Sequence, residues 1–313
     1  MSSPAKHGPE SVRSLTPRVG RATVHGTFGE LLQGYRQQPG GEFEHFLFTL
    51  PVVEFFATST VSLTPGQCRQ RVRPANRTRA LTATAELARA LGLGNTEISV
   101  EIDSNIPLGK GCASSTADIM ASIAALLEAA HPEIPDPVVH ALGSLVGRDI
   151  EWGDYVFSES IALCLQRTHT LVQEYATGMQ LLIVGVDEGG AVDTAAFHRR
   201  QRESRRPAQY YDSLLTQLDT ALKKCDYTTT GQIATESALL NQRALPKRHL
   251  ILMRQIAEDT GALGIAVAHT GTVIGLIFSK HQSDVSLRIW ECEERLQREN
   301  IASRVFTVRD GRQ

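Results

Sequence analysis

Apolar positions recur along this chain with two periods. Residues 78–91 carry them at helical spacing and stop at Gly92. Residues 115–130 predict a stronger helix, rich in alanine and leucine and ended before Pro132. Residues 138–146, 211–224, 229–241, 248–260 and 290–299 read as further helices. Strands are expected elsewhere. Residues 19–25 and 46–63 hold β-favouring side chains, with turn signals around 37–41. Residues 97–102 alternate charged and apolar side chains, as a half-buried strand does. Residues 159–186 hold two or three strands, including the apolar run 180–186. Residues 264–269 and 272–279 read as a hairpin, and 303–308 as a last strand.

Strands and helices are interleaved without a regular βαβ alternation, so an α+β fold is expected. A boundary is placed near Gly178, giving an N-terminal domain at 19–177 and a C-terminal domain at 178–313. Residues 1–18, rich in Ser, Pro and charge, read as a disordered tail. Of the 313 residues, 42% are hydrophobic and 21% charged, as in an ordinary globular protein. A net charge of −2 gives no global field for nucleic acid or an anionic membrane. No apolar run spans a bilayer and the start lacks a secretory core, so a cytoplasmic location is expected. The five cysteines (68, 112, 164, 225, 292) are scattered and form no CxxC pair, which disfavours a disulfide framework or zinc site. The basic run HRRQRESRRP, 198–207, reads as a solvated face rather than an anion site.

Four stretches carry candidate chemistry. In PLGKGCASSTAD, 107–118, Gly109 and Gly111 precede a helix start. Helix N-termini hold anions on unpaired N–H groups, and glycines let the backbone close around them. Ser114 and Ser115 add hydroxyls for capping, phosphate or Mg²⁺, and Lys110 adds charge. A phosphate cradle and a serine-capped loop with nothing bound both satisfy this stretch. The Walker A and GxGxxG orders are absent. In RDIEWGDYVFS, 148–158, Glu151 and Asp154 lie three apart around a glycine. In a turn they could share a cavity, one holding a metal and one taking a proton, or both could be solvated. In GALGIAVAHTGTVIGLIF, 261–278, glycines flank the His269-Thr270-Gly271 turn, which serves either a hairpin alone or a ligand beside it. In GTFGELLQG, 26–34, a Gly-rich turn would carry Glu30 and Gln33, both able to bind a small polar substrate.

Together these stretches resemble the GHMP kinases. Pro107, Gly111, Ser114, Ser115 and Ala117 match the family's P-x-x-x-G-L-G-S-S-A-A motif, with Cys112, Ala113 and Thr116 replacing its Leu, Gly and Ala. Gly29, Glu30, Leu31, Gln33 and Gly34 match the C-G-E-L-x-Q-G pattern of the L-threonine kinases of cobalamin side-chain synthesis. GKGCASSTADI, GGAVDTAAFHR (189–199), LNQRALPK (240–247) and the 261–278 stretch are also similar to that subfamily.

The resemblance implies an N-terminal domain like ribosomal protein S5 and a ferredoxin-like C-terminal domain, with ATP and substrate between them. It implies ATP-dependent phosphorylation of a small hydroxy amino acid. Residues 107–116 (Pro107, Gly109, Lys110, Gly111, Cys112, Ala113, Ser114, Ser115 and Thr116 among them) would cradle the phosphates. Ser115 and Glu151 would bind Mg²⁺, and Asp154 would act as base. Gly29, Glu30, Gln33, His269, Thr270 and Gly271 would hold the substrate, and a homodimer is compatible with the pattern. The subfamily's E-P-T-D-G reads EWGDY here, so Trp152, Gly153 and Tyr155 depart from it. The competing readings are a homoserine or other small-alcohol kinase, although homoserine kinases commonly lack the aspartate, and a non-catalytic nucleotide-binding module.

Overall fold

A computed structural model describes residues 17–37, 41–66, 68–192 and 208–311. The tail at 1–16, the turn at 38–40, the basic run at 198–207 and the end of the 189–199 motif lie outside the described residues. The fold is built on a long antiparallel hairpin, β1 (Arg18–Gln37) and β2 (Phe43–Pro65). β4 (Thr96–Ser104) pairs with the second half of β2, and β5 (Ile161–Leu165) with the first half. β3 (Gln70–Arg73) runs parallel to β4 at one edge, and β6 (Thr170–Tyr175) pairs with β5. β8 (Gly264–Val267) joins β1 through Glu30 and Val267, and β9 (Val273–Ser279), β7 (Leu181–Asp187) and β10 (Ser303–Thr307) extend the sheet beyond it. The boundary placed at 178 falls between β6 and β7.

Helix α2 (Ser114–Ala130) covers the sheet at β1, β2 and β4, and α1 (Thr78–Ala90) and α3 (Asp136–Gly147) pack against α2. α2 is buried around nearly its whole circumference, as its apolar sequence requires. Helices α4 (Ala208–Lys223) and α5 (Tyr227–Asn241) close a second core over Phe28, Leu31, Phe46 and Phe48. Helices α6 (Leu250–Thr260) and α7 (Val285–Arg298) pack on β7–β9. Among the described residues, no helix is long and apolar enough to cross a membrane.

One expectation is corrected, and one strand, β3, lies where none was expected. Residues 26–34 are not a turn. They are the second half of β1, which continues through register shifts at His25/Thr27, Thr27/Glu30 and Glu30/Leu32. The glycines that suggest a turn form a bulge, with Gly29 at φ 61°. The strand β3 carries no apolar period, because only Val72 of its four residues is buried at an edge where charge is tolerated.

Candidate active site

β4 ends at Ser104, and residues 105–113 turn the chain into α2. Left-handed backbone at Gly109 (φ 70°), Gly111 (φ 78°) and Ala113 (φ 61°) winds this loop tightly. The serine cap allowed by the sequence does not form. Ala113 is the N-cap and offers no side-chain bond, while Ser114 is already helical and its Oγ donates to the Ile106 carbonyl at 3.3 Å. A left-handed cap residue turns the chain without placing an oxygen over the first-turn N–H groups. Residues 113–116 open instead on a cavity of about 500 Å³.

Backbone contacts hold the loop on three sides. The Thr27 N–H donates to the Cys112 carbonyl (3.2 Å), Thr272 N–H to the Lys110 carbonyl (3.0 Å) and Val192 N–H to the Gly109 carbonyl (3.1 Å). A Cβ on Gly271 would overlap the Lys110 carbonyl, and one on Gly111 would lie 2.6 Å from the Ala268 methyl. These two glycines therefore let the 268–272 turn touch the loop backbone to backbone. Lys110 does not line the cavity. Its Nζ sits 2.7 Å from Asp187 Oδ2 and donates to the Gly190 carbonyl at 2.6 Å, on the far side of the loop.

The facing wall is the start of α1. Arg77 Nε lies 3.2 Å from Asp118 Oδ2, with Asp118 buried and Arg77 largely so. Burial pushes the Asp118 carboxyl up to about 6, against the pull of Arg77. Arg79 Nη1 lies 2.5 Å from Glu151 Oε2 and 3.4 Å from Ser115 Oγ. The other carboxylate oxygen of Glu151 accepts from Thr116 Oγ1 at 3.0 Å. Glu151 and Ser115, distant in sequence, thus meet at one guanidinium.

The floor carries two more carboxylates. Residues 151–155 form no regular element, and the Gly153 N–H donates to the Gln166 carbonyl (3.2 Å). A side chain at 153 would overlap the Thr116 hydroxyl, so the departure at Gly153 has a packing cause. Asp154 is buried and accepts from Thr27 Oγ1 at 3.3 Å. Burial, joined by the nearby charge of Glu151, pushes it up to about 6, against the Thr27 bond. Glu30 is also buried and accepts the His269 N–H at 2.7 Å. Burial first, then Asp154, raises its carboxyl well above the usual range; the His269 N–H and Lys247 oppose this.

Of the residues assigned to substrate, Glu30 and Thr270 line the cavity and the others do not. The Gln33 N–H donates to Ser237 Oγ at 3.3 Å, toward α5, because the bulges rotate the strand between Glu30 and Gln33. His269 stacks beside His45 with ring centroids 4.4 Å apart, and Gly29 packs against the Val267 carbonyl.

The sequence reading missed Arg77, Arg79, Asp118 and Gln166, which line the cavity, and gave no part to Lys247. Lys247 is buried and its Nζ donates to the Gly271 carbonyl. Burial brings its amine down to about 8, although Glu188 and Glu30 pull it up. A signal existed at 77–79: two arginines and no acid at a helix start, the wrong sign for the macrodipole.

Residues 78–159 match the family described as GHMP kinases N terminal domain. Over that stretch the chain is similar to the N-terminal domain of the GHMP kinases. It is 28% identical over 271 residues to an L-threonine kinase of Citrobacter freundii, covering 84% of this chain and 87% of that protein. A homoserine kinase from Cytophaga hutchinsonii superposes with a TM-score of 0.67 at 13% identity, covering 98% and 99% of the two chains. A mevalonate diphosphate decarboxylase from Enterococcus faecalis, described for its ATP binding mechanism, gives a TM-score of 0.69 at 15% identity, covering 94% and 98%. The fold is that of the GHMP kinases. The likenesses support a kinase acting on a small substrate.

Proposed function

We propose that this chain is an ATP-dependent kinase that phosphorylates the hydroxyl of a small hydroxy amino acid, with L-threonine the first candidate. One observation carries the reading. A single cavity joins two helix starts without side-chain caps, those of α1 and α2, to the buried carboxylates Glu30 and Asp154. One end suits a phosphate chain and the other an ammonium-bearing alcohol. The likeness to an L-threonine kinase supports the choice of substrate.

Residues 107–116, Lys110 excepted, would take the phosphates on the glycine loop and the first turn of α2. The donor set of Glu151 and Ser115 fits Mg²⁺, a hard cation held by one or two protein oxygens plus phosphate oxygens. When bound, that ion would neutralise phosphate charge during transfer. Asp154, ionised above about pH 6, would orient the hydroxyl and accept its proton. Glu30 would pair with the substrate ammonium. Thr27 holds Asp154 in place and Gly153 keeps Thr116 against Glu151.

The test is a panel of hydroxy amino acids with MgATP, scored for ADP release and product mass. L-Threonine or a close relative should be phosphorylated. Turnover only of sugars or isoprenoid alcohols would overturn the reading. A second expectation concerns Glu151→Gln. Losing the charged ligand should raise the Mg²⁺ needed for half-maximal turnover by about tenfold or more. An unchanged Mg²⁺ requirement would remove Glu151 from the metal site.

A further inference from the structure

Arg79 is the cation that holds both oxygens assigned to the metal. Its Nη1 reaches Glu151 Oε2 at 2.5 Å and Ser115 Oγ at 3.4 Å. A positive group already stands where a divalent ion would share those oxygens. We propose that Arg79 is an exchangeable cation. It neutralises Glu151 while the site awaits nucleotide, and it moves to the phosphate chain when the metal takes Glu151. This inference rests on the kinase reading above.

Its neighbour Arg77 makes the contrast. The side chains of Arg77 and Asp118 are only 12% and 3% exposed, and their pair already ties α1 to α2. Arg79 is 54% exposed while its partner Glu151 is 11% exposed. The guanidinium can swing into the cavity mouth, whereas the carboxylate is fixed from behind by the Thr116 hydroxyl. Glu151 stays neutralised only if another cation arrives as Arg79 departs, so the two movements are linked. The released guanidinium then lies between the starts of α1 and α2, and its planar fork matches phosphate oxygens. A bridge serving stability alone gains little at such exposure. Its position also works against its own helix. It is the second residue of α1, whose first turn holds no acid and no side-chain cap.

The experiment compares the full chain with Arg79→Gln and Arg79→Lys. AMPPCP binding is measured by calorimetry in Mg²⁺ and in EDTA, beside thermal midpoints. Arg79→Gln should fold with an unchanged midpoint, because the residue is half exposed. Its affinity for Mg²⁺–AMPPCP should fall about 10–100-fold, the usual worth of hydrogen bonds to a charged group. Mg²⁺ should enhance its AMPPCP binding more than in the wild type, since bare Glu151 repels phosphate until metal arrives. Arg79→Lys should fall between the two. A merely structural bracket predicts the opposite: Glu151 drifts, Mg²⁺ enhancement shrinks and the affinity in EDTA stays level. That result, or no change in either affinity, overturns the exchange. A folded wild type that binds no nucleotide overturns the kinase reading along with it.

Discussion

Asp154→Asn should lower kcat by roughly 10²–10⁴-fold on the best substrate while leaving nucleotide affinity nearly unchanged. It should also make the protein more stable at neutral pH. Burial raises the Asp154 carboxyl from its ordinary 3.8 to about 6 in the folded chain. A carboxyl whose folded pKa exceeds its unfolded one favours folding while protonated, and that advantage disappears as pH rises through the folded pKa. Below about pH 4 both states of the wild type hold the proton, and wild type and Asn variant should match. Between about pH 4 and 6 the wild type loses stability that the variant keeps. Above about pH 6 the gap levels off, at about 1–3 kcal/mol by the size of the shift. Thermal midpoints of both proteins from pH 4 to 8 measure it. Wild-type kcat/KM should decline on the acid side near pH 6, and Asn should lack that limb. An Asn variant with full kcat would leave transfer to positioning by the helix starts and the metal, with no base.

The same residues show what the sequence could and could not carry. Apolar patterning placed α1, α2 and the β8–β9 hairpin within a few residues, because each buries a regular stripe or run. Irregular backbone defeated it. Glycine at 29 serves a bulge, and glycines at 26 and 34 sit within the same strand, so β1 looked like a turn. Within the glycine loop, the reading gave Lys110 a place beside the phosphates. The structure turns it toward Asp187, a partner 77 positions away that no local pattern announces. Glu151 and Asp154 were legible as a pair because their spacing is local. Their partners Arg79, Thr116 and Thr27 arrive from other elements and become visible only when the sheet and α1–α2 are assembled. Trp152 lines the cavity beside Glu151, so the subfamily departure at 152 sits on the cavity wall.

Gly271→Ala should damage both fold and nucleotide binding, although Gly271 itself does not line the cavity. The added methyl would overlap the Lys110 carbonyl oxygen and crowd the Gly111 nitrogen. Neither can yield alone. The Lys110 carbonyl accepts the Thr272 N–H at 3.0 Å, and Gly111 packs on Ala268. The Gly271 carbonyl is held from the other side by the buried Lys247 ammonium, whose chain neighbours Arg248 and His249 donate their N–H groups to Glu188 at 3.0 and 2.7 Å. The turn is thus clamped between Lys247 and the glycine loop. Relief requires the loop to retreat into the cavity, or the turn to retreat and leave a buried ammonium without its carbonyl. Overpacking of this kind costs about 1–3 kcal/mol, and losing the Lys247 bond adds about 1–3 kcal/mol. A loop displaced by about 1 Å can lower turnover by about 10²-fold. The check is a urea unfolding curve together with AMPPCP titration. Both the midpoint and the affinity should fall. A variant that loses stability but binds AMPPCP as the wild type does would show that the turn only packs the loop and does not set the position of its N–H groups.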